Sequence, residues 1–173
     1  MKINFYIVLI LSLTILSSFS RIDKFDSELK QLQKFELLAL KSGKIGENYT
    51  YDLTKNKGCN KTTIKYLGVI RTNKGKQYKI LNSFFVYTTA NTCHGTSSIK
   101  IYDMKNNYVG NYYVGMPDDL PNKINKNKLV CWVNTKDCNL RKGFSISFEK
   151  GLPKRFFLPC TENGGDEYIF SNK

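Results

Sequence analysis

From Asn48 onward the spacing of apolar residues changes from helical to alternating, and a two-residue period commits a chain to β-strands with one buried face. Two hairpins can be registered from the pattern. In KTTIKYLGVIRT-NKG-KQYKILNSFFVYTT, a three-residue loop with Gly75 in the left-handed conformation pairs Ile70 with Tyr78, Gly68 with Ile80 and Ile64 with Phe84. In SIKIYDMK-NN-YVGNYYVG, Asn106 and Asn107 suit a two-residue type I′ turn that pairs Ile101 with Tyr112 and Ile99 with Val114. Residues Phe144 to Glu149 alternate cleanly, with Phe144, Ile146 and Phe148 inward. Shorter strands are expected near Tyr49–Leu53, Leu129–Val133, Arg155–Leu158 and Glu167–Phe170, and Pro117 to Asn127 reads as the longest loop, its two prolines excluding a central strand. About eight strands with short turns predict a mainly β fold, an antiparallel sandwich or small barrel. The aromatic content of 13% agrees with it.

The N-terminal part has a different pattern. Residues 1–20 combine Lys2, a twelve-residue apolar run from Phe5 to Leu16 and small residues at Ser18 and Ser20, the layout of a secretory signal cleaved before Arg21. The run is short of the roughly 20 residues that span a bilayer. No cysteine precedes Cys59, so the signal is not that of a lipoprotein, and the expected location is secreted or periplasmic. Residues 22–42 place Phe25, Leu29, Leu32, Phe35 and Ala39 on one stripe, with Gly43 as a C-cap, and predict one amphipathic helix that packs on the sheet. Residues 21–173 are therefore read as a single β-rich domain.

Export sets the expectation for Cys59, Cys93, Cys131, Cys138 and Cys160: two disulfides and one leftover thiol. Spacing does not give the pairing. A four-residue turn over Asn134–Asp137 would leave Cys131 and Cys138 on a diagonal with Cα atoms about 7 to 8 Å apart, beyond disulfide reach.

A formal charge of +13 favours an acidic partner. Only four of the 27 basic residues are arginines, however, and the lysines are spread along the chain, so no nucleic-acid module is indicated. Catalytic residue types are scarce. His94 is the sole histidine and therefore the one weak candidate for Ser–His or Cys–His chemistry, with Ser97 and Ser98 nearby in the loop TTANTCHGTSS. Cys93 is badly placed for it, because neighbours on an extended chain point to opposite sides. The cysteines lack metal-ligand spacing, no EF-hand pattern surrounds Glu162, Asp166 and Glu167, and Asp118–Asp119 reads as a solvated turn. No metal or cofactor is expected. Gly164 to Tyr168, GGDEY, resembles the signature of the diguanylate cyclase family over these five residues alone. That family sets the motif in a hairpin inside a cytoplasmic domain; here it reads as a glycine turn into a last strand.

The scarcity of catalytic groups and the abundance of tyrosine point to a small exported non-catalytic binding or inhibitor-type protein, with an unknown protein or glycan as partner, an acidic one being favoured by the charge. The expected contact face is that of the second hairpin, Lys100, Tyr102, Asn111 and Tyr113, with the segment around Cys93 as a second candidate. A membrane enters only through the export signal. The competing classes are a small exported hydrolase and a structural envelope or matrix component.

Overall fold

The computed structural model describes residues 29–54, 58–132, 138, 140 and 143–172; the signal sequence and residues 22–28 of the expected helix lie outside them. Contacts divide the chain between Phe35 and Glu36, and the architecture below is that of the unit Glu36–Lys173. Residues 29–42 are helical (α1). Gly43 follows at φ +67°, the left-handed residue that ends a helix.

Among the described residues ten strands follow: β1 (Asn48–Asp52), β2 (Asn60–Arg71), β3 (Gln77–Thr89), β4 (Thr92–Tyr102), β5 (Tyr108–Val114), β6 (Lys123–Asn125), β7 (Lys128–Cys131), β8 (Phe144–Ser147), β9 (Arg155–Thr161) and β10 (Gly164–Ser171). Seven form one sheet in the order β1-β2-β3-β4-β5-β10-β9, and β6-β7-β8 form a second. Every pairing is antiparallel. Both sheets are open, so of the two expected architectures the chain adopts the sandwich and not the barrel.

The core lies between the two sheets. Ile70, Ile80, Ile99, Ile101, Tyr112 and Val114 from the large sheet meet Leu129, Cys131 and Ile146 from the small one, with Phe148, Phe156, Leu158 and Tyr168 closing the cluster. Tyr112 is its centre: the rings of Phe156, Phe170 and Phe148 lie 4.8, 5.2 and 6.4 Å away, and its hydroxyl donates to the Pro153 carbonyl at 2.6 Å. Full burial of each aliphatic or aromatic side chain contributes about 1.5–3 kcal/mol, which is why the alternating segments converge here. On the opposite face of the large sheet Ile64, Tyr66, Leu81 and Tyr102 are also buried. Hydrogen bonds from Tyr102 to Glu36 and between Ser42 and Tyr49 hold the last turns of α1 over that face, where Ala39 and Leu40 are buried too.

The expected registers hold in part. Gly75 sits at φ +78°, Ile70 pairs with Tyr78 and Gly68 with Ile80, but Ile64 pairs with Ser83. A bulge between Tyr66 and Gly68 inserts one extra residue, which moves Phe84 opposite Thr63. The second hairpin is corrected by two positions: Ile99 pairs with Tyr112 and Ile101 with Gly110. Its loop is Met104–Asn106 rather than Asn106–Asn107. Asp103 closes it, accepting from the amides of Lys105 and Asn107 at 2.8 Å, while Asn106 alone is left-handed at φ +66°. TTANTCHGTSS is no loop; Ala90 and Asn91, at φ +49° and +61°, turn β3 directly into β4. Without a glycine, that type I′ turn is hidden from the usual signature. Inside the segment read as a loop, a 3-10 turn at Pro117–Asp119 precedes β6, an edge strand of the small sheet.

Candidate functional site

The register places Lys100 opposite Asn111 and Tyr113 opposite Ser98, so Lys100, Tyr102, Asn111 and Tyr113 share one face, as the alternation implied. Most of that face is occupied from within the chain. Glu36 of α1, 1% exposed, accepts a 2.5 Å hydrogen bond from the Tyr102 hydroxyl on Oε2, and Lys100 Nζ lies 3.7 Å from its Oε1. Lys100 also sits over the Tyr108 ring at 5.4 Å, and the Tyr108 hydroxyl donates to Asn111 Oδ1 at 2.5 Å. The Tyr102 and Tyr108 rings meet edge-on at 5.6 Å. Only Tyr113, 57% exposed, opens fully to solvent. The sequence reading missed Glu36, although its position was a signal. An acid three and four residues before Ala39 and Leu40 stands on the buried face of a helix, and a buried carboxylate needs a partner.

This network makes a pH-dependent contribution of definite sign. Burial first, then the Glu36 charge and the hydrogen bond to it, pushes the Tyr102 phenol well above the ordinary 10.0; burial alone does the same to Tyr112. Tyr108 is pushed up to about 12 by burial and then by Glu36. A raised phenol keeps its proton in the folded protein after the unfolded chain has lost it. Its contribution is therefore complete below pH 10 and is lost as pH rises beyond it. Tyr102 and Tyr112 should each remove about 1.4 kcal/mol of stability per pH unit above about pH 10, with a smaller share from half-buried Tyr108. Denaturant melts across that range check the slope, and Tyr102→Phe should flatten it.

The second candidate region is differently built. His94 lies in β4, opposite Tyr87 of β3, with the rings 5.9 Å apart and 30° from parallel. Tyr87 in turn stacks on Phe85 at 5.5 Å and 23°. The three rings form a row on the end of the sheet beyond α1; Phe85 and Tyr87 are half-buried and His94 is exposed. Beside the row, Cys93 is bonded to Cys59, with Cα atoms 5.9 Å apart. Thr88 locks the bridge to β3: its hydroxyl accepts from the Cys59 amide at 2.6 Å and lies 3.0 Å from the Cys59 carbonyl, to which it donates.

Neither of the two serines expected near His94 reaches it. Ser97 is fully buried on the opposite face, and Ser98, four residues along the same strand, stands about 13 Å away. The late carboxylates do not gather either: Glu167 pairs with Arg155 at 3.3 Å, and Asp118 is exposed. Asp119 is buried, not solvated as expected, and accepts from the Tyr168 hydroxyl at 2.8 Å. Among the described residues no group of three metal-ligating side chains forms. The second GGDEY glycine has a packing reason, since a Cβ on Gly165 would stand 2.3 Å from the Leu158 carbonyl oxygen.

The second disulfide joins Cys138 to Cys160, with Cα atoms 4.1 Å apart; Cys131 belongs to neither and is buried in the core. Two disulfides fit an oxidising extracellular environment. Among the described residues no helix is long and apolar enough to cross a membrane. Comparison with protein-family models, with characterised proteins and with solved structures finds no match.

Proposed function

We propose that this chain is an exported, disulfide-braced β-sandwich that works by binding a partner, and that its contact surface is the Phe85–Tyr87–His94 row. The observation that carries this reading is the contrast between the two candidate faces. Lys100, Tyr102 and Asn111 are engaged with Glu36 and Tyr108, whereas the row beside Cys93 presents stacked rings on a backbone clamped by the Cys59–Cys93 bridge. Rigid aromatic side chains give broad contact area at little entropic cost, and a clamped backbone lowers that cost further. Export and a non-catalytic role rest on the apolar N-terminal run, the disulfides and the scarcity of paired nucleophiles and bases. A matrix role through intermolecular disulfides is less favoured, because Cys131 offers no thiol at the surface.

The test is capture of a partner from the surface and medium fractions of the producing organism by immobilised, oxidised protein. Tyr87→Ala with His94→Ala should weaken the complex at least about tenfold, as truncation of central aromatic anchors does. Lys154→Ala should leave it unchanged. A double variant that captures the partner as well as the parent does overturns the reading.

A further inference from the structure

At the opposite end of the large sheet, three turns carry a concentration of positive charge. The β2–β3 turn holds Arg71, Lys74 and Lys76, the β6–β7 turn holds Lys126 and Lys128, and the turn after β8 holds Lys150. Hydrogen bonds fix these turns to one another. Asn127 accepts from the Arg71 amide at 2.7 Å and donates to the Arg71 carbonyl at 2.5 Å, and the Asn73 amide donates to the Glu149 carbonyl at 2.8 Å. Six cations therefore share a fixed scaffold with a single acid, Glu149, and all but half-buried Lys128 are exposed. The neighbouring β4–β5 turn adds Lys105 and Asp103, of opposite sign. β2 runs the whole way from the aromatic row to this end, about 36 Å, so the two surfaces are separate.

We propose that this basic end binds an acidic polysaccharide, a chain of sulfate or carboxylate groups. Charge complementarity selects a polyanion. The three turns expose no large apolar side chain that would serve as the anchor a protein interface needs or as the wedge a membrane-surface segment needs. Five of the six cations are lysines, compact charges suited to successive anionic groups rather than to bidentate phosphate forks. Nor do the turns carry an aromatic side chain at the surface on which nucleic-acid bases would stack. Binding at this end does not depend on the aromatic row.

The test uses heparin and hyaluronate as sulfated and carboxylated probes, and vesicles of phosphatidylcholine with phosphatidylserine as the membrane control. The parent protein should bind at least one polysaccharide with an affinity that falls steeply with salt, as expected when counterions are released. Reversing Lys74, Lys126 and Lys150 to Glu should weaken binding at least about tenfold and reduce the log–log salt slope by about two. Reversing Lys41, Lys61 and Lys154, exposed residues outside these turns, makes the same change in net charge and should cost less than about threefold. Glu149→Lys should tighten binding. Circular dichroism of each variant verifies the fold. Equal losses in the two triple variants would reduce the effect to net charge and overturn the site. Vesicle binding without polysaccharide binding, or no binding of any probe, would overturn the ligand class.

Discussion

Glu36→Ala is expected to lower the stability of the folded unit by about 3 kcal/mol. Glu36 is 1% exposed, and its carboxylate accepts from a buried phenol and is the counter-charge of a mostly buried ammonium. Truncation leaves the Tyr102 hydroxyl with no acceptor and Lys100 with no counter-charge. A buried pair broken on one side costs more than the pair contributed, because the remaining group keeps its desolvation penalty. The lower end of the range applies because the Lys100 side chain, 16% exposed, has partial access to water. For a unit of this size the melting temperature should fall by about 10 °C. Glu36→Gln should cost less, since an amide oxygen still accepts from Tyr102. The double variant Glu36→Gln with Lys100→Met should recover part of the loss. A Glu36→Ala protein as stable as the parent would mean that the helix end is not held over the sheet by this carboxylate.

Loss of the disulfides is the second large effect. Cys59–Cys93 closes a sequence separation of 34 residues and Cys138–Cys160 one of 22. Restriction of the unfolded chain gives about 4 kcal/mol for the first and about 3 kcal/mol for the second. A domain of ordinary stability has about 5–15 kcal/mol in total. Paired Ser substitutions at Cys59 and Cys93 should therefore shift the denaturant midpoint strongly, and reduction of both bridges should leave much of the population unfolded at physiological temperature. The first bridge has a further consequence. It clamps the strand ends beneath Tyr87 and His94, so its loss should weaken partner capture even under conditions where the core stays folded. Reduction that left the midpoint unchanged would contradict this role.

The parts of this architecture legible in the sequence were those governed by local rules. The period of two residues placed most strands, and Gly75 set the first hairpin because only a residue tolerant of positive φ fits its loop. What failed depended on interactions that no spacing rule records. The bulge after Tyr66 moved Ile64 from Phe84 to Ser83, and the Asp103 carboxylate captured two amides and lengthened the second turn. Ala90 and Asn91 made a tight turn without glycine, which brought His94 into a strand beside Tyr87. The expected contact face was correct in which residues share it, wrong by two positions in their register partners, and incomplete in its surroundings. Lys100, Tyr102 and Asn111 do share a side of the sheet, but the side chain that occupies that side comes from 64 positions upstream of Lys100 at Glu36. The grouping of Arg71, Lys74, Lys126 and Lys150 was equally hidden, because a uniform scatter of lysines along the chain becomes a cluster only after three turns meet.

This two-sheet sandwich is braced by a particular disulfide pairing, Cys59–Cys93 across the end of the large sheet and Cys138–Cys160 onto β9. Peptide mapping of the unreduced protein by mass spectrometry tests it most directly. One linked pair should contain Cys59 and Cys93 and another Cys138 and Cys160, with Cys131 in neither. Recovery of a Cys131–Cys138 link, or of all five cysteines as thiols in protein isolated from outside the cell, would contradict it.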